Sequence, residues 1–277
     1  MKVKDIEESI KLKFSTVKGN FALAYKDLSN SKELLINPDE VFHAASTMKT
    51  PVMIEIFKQV AEGKYSFDDS IMVKNEFKSI VDGSSYSLDI GRDDGEWLYD
   101  LIGKKRTLDK LVYDMIIYSS NLATNIIIDQ IDAKSVTNTI RELGVQNMHV
   151  YRGVEDMKAF DKGLNNSTTA RDLMIIFEAL ASGKLISENA NKEMIRILLD
   201  QTDKVIIPDQ LPKDVRVAHK TGNITGVYHD SGIVYLPDGR KYVLVILSKN
   251  MEDTDKGVKM MAEVSRMIYD HFVEESE

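Results

Sequence analysis

The sequence has no cysteine in 277 residues, which excludes disulfides, thiolate nucleophiles and cysteine-held metals and leaves the redox compartment open. Nor is there an apolar run approaching the roughly 18 residues that cross a bilayer. The opening stretch MKVKDIEESIKLKF places charges where a signal peptide carries its apolar segment, so the chain reads as unexported and cytoplasmic. An exported protein stripped of its signal, with Met1 added, would read the same way. Positive charge is in short supply: 36 Lys and Arg against 44 Asp and Glu leave a net charge of -8. That balance disfavours nucleic acid or an anionic membrane surface as partner. The 5 histidines show no spacing to acidic residues that suggests a metal site, and no cofactor is expected. There is no internal repeat or low-complexity segment. A small-molecule substrate and a monomeric protein are what these absences leave.

What is present is enough apolar residue, 43%, to bury a sizeable core. Val3, Ile6, Ile10 and Leu12 recur at helical spacing, and Phe21 to Tyr25 runs apolar like a buried strand, with Glu33 to Asn37 as its hairpin return. From Ser46 to Ala61 the positions Met53, Ile56, Phe57, Val60 and Ala61 form one helical face. Helical patterns return at 107–130, 169–182 and 189–199. Beyond Pro212 the pattern changes to strands at Val215 to His219, Gly226 to Tyr235 and Lys241 to Ser248, before an amphipathic helix from Asp253 to Val273. The expected fold is mixed α and β, an antiparallel sheet flanked by the terminal helices with an all-α lobe inserted in sequence. Residues 1–43 and 206–277 are assigned to the sheet lobe and 44–205 to the α lobe, with the active site between them.

A serine hydroxyl is a poor nucleophile at neutral pH and needs a base within hydrogen-bond reach. In Ser46-Thr47-Met48-Lys49 the i, i+3 spacing at a helix start puts hydroxyl and amine on one face. Burial and neighbouring cations lower a lysine's pKa toward proton acceptance, and a helix start offers free N–H groups for an oxyanion. The same Ser-x-x-Lys pattern at Ser15 to Lys18 and Ser29 to Lys32 carries no chemistry, so the motif alone does not decide. Two further motifs follow in order. Ser119-Ser120-Asn121 closes the helical segment 107–117, and Lys220-Thr221-Gly222, the only Lys-Thr-Gly in the chain, is placed at the end of an apolar strand.

In that order the three motifs resemble the signature of class A β-lactamases and penicillin-binding proteins. Phe42-His43-Ala44-Ala45 before Ser46 and Asn166 to Ala170 before a helix sit where that family has comparable segments, and the similarity runs over nearly the whole chain. The resemblance implies Ser46 as acyl acceptor, Lys49 as its proton partner and Ser119 as the relay to the leaving amine. It also implies that Asn121 bonds a substrate amide and that Lys220 and Thr221 hold a substrate carboxylate. The backbone N–H groups of Ser46 and Asn223 would form the oxyanion hole, and Gly222 would keep the strand clear for substrate.

The pattern departs from the family at four places. The deacylating glutamate usually stands two residues after the loop arginine, whereas Glu155 stands three after Arg152, with Asp156 as a weaker candidate. Asn166 replaces the aspartate that usually pairs with that arginine, which leaves Asp161 as an expected partner for Arg152. Ser120 replaces the usual aspartate of the second motif. The stretch Glu76 to Lys105, with Tyr86 and Trp97, lengthens the interval between Ser46 and Ser119, either as a wall of the cleft or as a structural flap. A Ser-His-Asp triad through His229 and Asp230 is disfavoured because neighbouring strand residues face opposite ways. Three readings stay open: a serine hydrolase of β-lactams or similar amides, a D-alanyl-D-alanine peptidase or esterase that releases β-lactams slowly, and a non-catalytic binding or sensing module.

Overall fold

The computed structural model describes residues 3–183 and 185–274; residues 1–2 and 275–277, which the sequence assigns to the sheet lobe, lie outside them. Helix α1 (Val3–Phe14) leads into the hairpin β1 (Asn20–Asp27) and β2 (Glu33–Ile36). A 3-10 turn, Ala45–Met48, then runs into α2 (Lys49–Ala61), and α3 (Leu108–Ile117), α4 (Asn121–Ile131), α5 (Ala133–Glu142), α6 (Met157–Asp161), α7 (Ala170–Ala181) and α8 (Glu188–Leu199) follow. The chain returns to the sheet with β3 (Arg216–Ile224), β4 (Val227–Tyr235) and β5 (Lys241–Lys249), and closes on α9 (Thr254–Glu274).

The five strands pair antiparallel in the order β2-β1-β5-β4-β3. Their two-residue alternation divides the apolar side chains between two cores. Leu23, Tyr25, Tyr242, Leu244 and Ile246 pack with Ile6, Ile10 and Phe14 of α1 and with Met261, Val264 and Ile268 of α9. Ala22, Ala24, Val243, Val245 and Leu247 face the other way, into the core of the helical lobe, where α7 lies on the sheet. The mixed fold with an antiparallel sheet and flanking terminal helices is the one the sequence implies.

The helical lobe is built around α2. Every residue from Lys49 to Phe57 is buried, with α3, α4, α5 and α8 packed about it. This corrects the one-sided face expected for α2: Ala61 is exposed, while Val52 and Ile54, off that face, are fully buried. A helix enclosed on all sides has no stripe to read. Each fully buried aliphatic side chain there contributes roughly 1.5–3 kcal/mol by leaving water. Two further differences bear on the site. Helix α5 was not expected, because its apolar positions Val136 and Ile140 are sparse among polar residues. Strand β3 does not end before Lys220 but continues through Lys220-Thr221-Gly222 to Ile224, so the third motif lies within a paired strand. Two charged or polar side chains in succession hide a strand whose both faces are covered.

Candidate active site

Ser46 sits half-buried in the 3-10 turn ahead of α2. The turn is entered through Ala45, whose φ of +44° is unusual for a residue with a Cβ. His43 holds this entry: Ala45 N donates to its Nδ1 at 3.0 Å. The His43 carbonyl is in turn bonded by His229 Nε2 at 2.9 Å, and Ser248 N donates to His229 Nδ1 at 3.2 Å. A ring nitrogen that accepts an amide N–H carries no proton, so the other, Nε2, is the donor to His43. Burial pushes His229 down to about 4, keeping the ring neutral. His229 thus braces the turn that carries Ser46 and belongs to no triad, while Asp230 binds His219 Nδ1 at 2.8 Å.

Gly222 explains how β3 reaches this turn. A Cβ on Gly222 would stand 2.7 Å from Ser46 N and 2.9 Å from Thr47 N. Beside the expected clearance for substrate, glycine is required here for a nearer reason, since a side chain would collide with the turn that carries Ser46.

Three candidate side chains, Lys49, Ser119 and Lys220, converge on one another. Lys49 and Lys220 are both fully buried. Lys49 Nζ donates to Ser119 O at 2.5 Å, to Asn121 Oδ1 at 3.0 Å and to Ser119 Oγ at 3.3 Å. Lys220 Nζ donates to Ser119 Oγ at 3.0 Å and to Thr221 O at 2.9 Å. Desolvation, with the nearby Lys220 cation, lowers Lys49 to about 7, against the opposing fields of Asp93, Asp94 and Glu155. Lys220 is lowered to about 8 by burial, with Asp203, Asp230 and Asp94 opposing. Ser119 adopts φ +51° between α3 and α4, which turns both its carbonyl and its hydroxyl toward the two lysines. A hydroxyl has two acceptor positions and one proton. With both lysines donating to Ser119 Oγ, its proton is left to point elsewhere.

Asn121 and Glu155 form the other wall. Asn121 Nδ2 donates to Glu155 Oε1 and to the Arg92 carbonyl, each at 3.1 Å, and Asp89 N donates to Glu155 Oε2 at 3.1 Å. Glu155 has φ +60°. This left-handed residue takes up the extra position after Arg152 and turns the carboxylate toward Asn121. Asn125, in the second turn of α4, anchors the loop by accepting from Val154 N at 2.7 Å and donating to Val154 O at 3.0 Å. Asp156, the weaker candidate, points away: it caps α6 and accepts from Ser79 Oγ at 2.8 Å and Ile80 N at 2.9 Å. Asp161 is not the partner of Arg152, which donates instead to Leu164 O, Gly153 O and Asn165 Oδ1. Asn166 has no charge to offer, and it bonds the backbone of Tyr151 and Arg152.

The structure therefore brings together Ser46, Lys49, Ser119, Asn121, Glu155, Lys220 and Gly222, with Thr221 buried and Asn223 exposed on β3 beside them. Sequence reading missed His229 as a brace, Asn125 as the loop anchor and the residues 89–93 beside Asn121. Asn125 carried a signal, four residues after Asn121 on one helix face; His229 carried none. Among the described residues no group of three or more His, Asp or Glu side chains is placed to hold a metal ion, and no helix is long and apolar enough to cross a membrane.

The sequence profile described as the β-lactamase enzyme family matches residues 4–272. A β-lactamase of Bacteroides uniformis is 27% identical over 176 residues, 59% of this chain and 60% of the relative, so the match spans less than two thirds of that protein's length. The β-lactamase VEB-1 of Pseudomonas aeruginosa is 21% identical over 258 residues, 88% of this chain and 83% of the relative. Among solved structures, a β-lactamase from Sphaerobacter thermophilus superposes with a TM-score of 0.82 at 24% identity, covering 97% of each chain. PBP-A superposes with a TM-score of 0.83 at 26% identity, covering 98% of this chain and 96% of the other. The chain belongs to the β-lactamase enzyme family and is a hydrolase of the serine β-lactamase type.

Proposed function

We propose that this hydrolase opens β-lactams, or amides of similar strain, through an acyl-Ser46 intermediate, acting as a monomer in the cleft between residues 1–43 with 206–277 and residues 44–205. The observation that carries the reading is the convergence of two fully buried lysines on Ser119, with Lys49 lowered to about 7. About half of such a lysine is neutral at pH 7 and free to take the Ser46 proton. On losing its own proton Lys49 keeps two donors and gains a lone pair, so it can stay bonded to Ser119 O and Asn121 Oδ1 while facing the nucleophile.

In acylation Ser46 Oγ attacks the carbonyl carbon, its proton passes to Lys49, and the oxyanion is received by the N–H groups of Ser46 and Asn223. The amide C–N bond then breaks. Ser119 gives its proton to the leaving nitrogen and takes from Lys49 the proton that Lys49 received from Ser46, so Lys49 ends neutral again. Lys220, still largely charged at pH 7, and Thr221 hold the substrate carboxylate. Both amide protons of Asn121 are engaged by Glu155 and Arg92, so its remaining Oδ1 lone pair serves a substrate N–H. In deacylation Glu155 takes a proton from water as the water oxygen attacks the ester carbon. The bond to Ser46 Oγ then breaks, Lys49, protonated from solvent, gives Oγ a proton, and the proton on Glu155 returns to solvent.

A second reading, a D-alanyl-D-alanine peptidase or esterase that frees β-lactams slowly, is favoured by one feature: both oxygens of Glu155 already accept N–H bonds. Time-resolved mass spectrometry after adding penicillin tests both. An adduct on Ser46 that forms and disappears, absent from Ser46→Ala, supports the lactamase; a lasting adduct supports the peptidase. No adduct, together with no turnover of a chromogenic cephalosporin, would sink the acyl-enzyme reading and leave a binding or sensing module.

A further inference from the structure

A carboxylate from outside the three motifs holds the second motif in shape. Asp93, 3% exposed, lies in the stretch 76–105 that separates Ser46 from Ser119. Its Oδ2 accepts from Leu122 N at 2.8 Å, from Tyr99 OH at 3.2 Å and from Ser120 Oγ at 3.4 Å, and its Oδ1 accepts from Gly95 N at 2.8 Å. Leu122 N is one of the N–H groups that α4 leaves free in its first turn. Ser120 is the cap of that helix, and its one side-chain oxygen is occupied with Ala123 N at 3.2 Å. An aspartate at 120, usual in the motif this one resembles, would bring two oxygens to the same helix end. Here the further acceptor arrives from Asp93. Gly95 permits the approach, since a Cβ there would lie 2.6 Å from Ser120 Cβ.

We propose that Asp93 is a positioning residue for the reaction, replacing the carboxylate absent from position 120 and clamping Ser119 and Asn121 in the orientation that receives Lys49 and Lys220. This rests on the acyl-Ser46 reading. The clamp has something to hold, because Ser119 is kept at φ +51°, a left-handed conformation that a Cβ disfavours. Two neighbours of Asp93 act on the same wall: the Arg92 carbonyl takes a proton of Asn121, and Asp89 N binds Glu155. From below, Ser120 N donates to the carbonyl of Asp114, whose carboxylate is paired with Arg106, one residue past that stretch. The 76–105 stretch is therefore both wall and brace.

The test uses the full chain and penicillin labelling of Ser46, with thermal melting as the check on folding. Asp93→Asn keeps the shape and removes the charge. Labelling is expected to slow 10- to 100-fold, the scale on which misplaced catalytic groups lose rate. The charges acting on Lys49 are those of Lys220, Asp93, Asp94 and Glu155, and Asp93 favours the ammonium form. Its loss should move the acid limb of the labelling profile to lower pH, which loosened packing alone would not do. The exchange variant Asp93→Ser with Ser120→Asp should regain labelling to within about threefold of wild type, returning the carboxylate to the motif. Wild-type labelling with an unaltered rate and acid limb in Asp93→Asn overturns the proposal, as does an exchange variant that stays slow. If Asp93→Asn does not fold, the exchange variant decides: folded and reactive supports the clamp, unfolded overturns it. A wild-type protein that penicillin never labels is a different failure, that of the acyl-Ser46 reading itself.

Discussion

Lys220 Nζ donates to Ser119 Oγ at 3.0 Å, so a cation carried by the sheet holds a hydroxyl carried by the turn between α3 and α4. Removing that hydroxyl breaks the side-chain link by which the two lysines share an acceptor. Ser119→Ala should fold normally yet acylate about 10²–10⁴-fold more slowly, the usual contribution of a positioned proton donor. The rate at which penicillin mass is gained on Ser46 measures this. A loss of less than threefold would mean the leaving nitrogen is protonated by another group.

The two lysines set opposite pH requirements. On the proposed mechanism Lys49 would accept a proton only when neutral, above about 7, whereas Lys220 would bind an anionic substrate best when charged, below about 8. Second-order acylation should therefore be bell-shaped with its optimum between these values, the two limbs belonging to the coupled pair. Lys220→Arg, which stays charged, should carry the alkaline limb upward while leaving the acid limb in place. A profile flat from pH 5 to 10 would count against both assignments.

Much of this site is legible in the sequence because its parts are local motifs. Ser46 with Lys49, Ser119 with Asn121, and Lys220 with Gly222 each fix a short piece of backbone, and only their meeting depends on the fold. The sheet is equally legible, since β1 and β5 are nearly continuous apolar runs of strand length, buried on both faces. What the sequence conceals is support across elements. His229 reaches His43 from a distant strand, and Asp93 reaches Leu122 from a stretch with no regular pattern. The expected Arg152–Asp161 pair failed for a related reason: charge suggests a partner, but backbone carbonyls of the loop satisfy the guanidinium first.

His229 should make stability fall in mild acid. Its folded pKa is about 4 against roughly 6.5 when unfolded, so between those values the unfolded chain binds more protons. The stabilisation is complete above pH 6.5 and is lost as pH falls toward 4, a difference on the order of 3 kcal/mol. Gln offers a donor for His43 O and an acceptor for Ser248 N without titrating. His229→Gln should therefore flatten the pH dependence of urea midpoints over this window, leaving the smaller slope due to His43, which burial also depresses. An unaltered slope would place the acid sensitivity elsewhere.

Gly222→Ala tests the contact between strand and nucleophile. The added methyl meets backbone nitrogen of Ser46 at 2.7 Å and of Thr47 at 2.9 Å, and neither can rotate away. Either β3 or the Ser46 turn must shift, and overpacking of this kind costs roughly 1–3 kcal/mol. Acylation should fall at least about 100-fold, since a shift near 1 Å misplaces the oxyanion donors. Melting temperature and labelling rate together measure it; a variant with wild-type values for both would mean the turn is softer than its packing implies.

Glu155→Gln bears on how the acyl group leaves. The carboxylate accepts from Asn121 Nδ2 and from Asp89 N, so both oxygens are bonded as acceptors. A glutamine has one acceptor oxygen and one NH2, and one of those two bonds must be lost or turned over. Acylation draws on Lys49 and Ser119, and Lys49 bonds Asn121 through the other atom of its amide, Oδ1. The labelling rate above pH 7, where Lys49 is largely neutral with or without the Glu155 charge that raises its pKa, should therefore stay within about threefold of wild type. Deacylation needs a base for water, and without one the penicilloyl adduct should persist at least about 100-fold longer, the scale of a lost general base. The ratio of adduct lifetimes decides between the two readings of the site. A long-lived adduct only in the variant makes Glu155 the deacylating base, its left-handed backbone having recovered the direction that the extra residue after Arg152 took away. Equal, long lifetimes in both proteins would instead mean that the hydrogen bonds holding Glu155 to Asn121 and Asp89 are its whole purpose, and that the chain is an acyl acceptor built to release slowly.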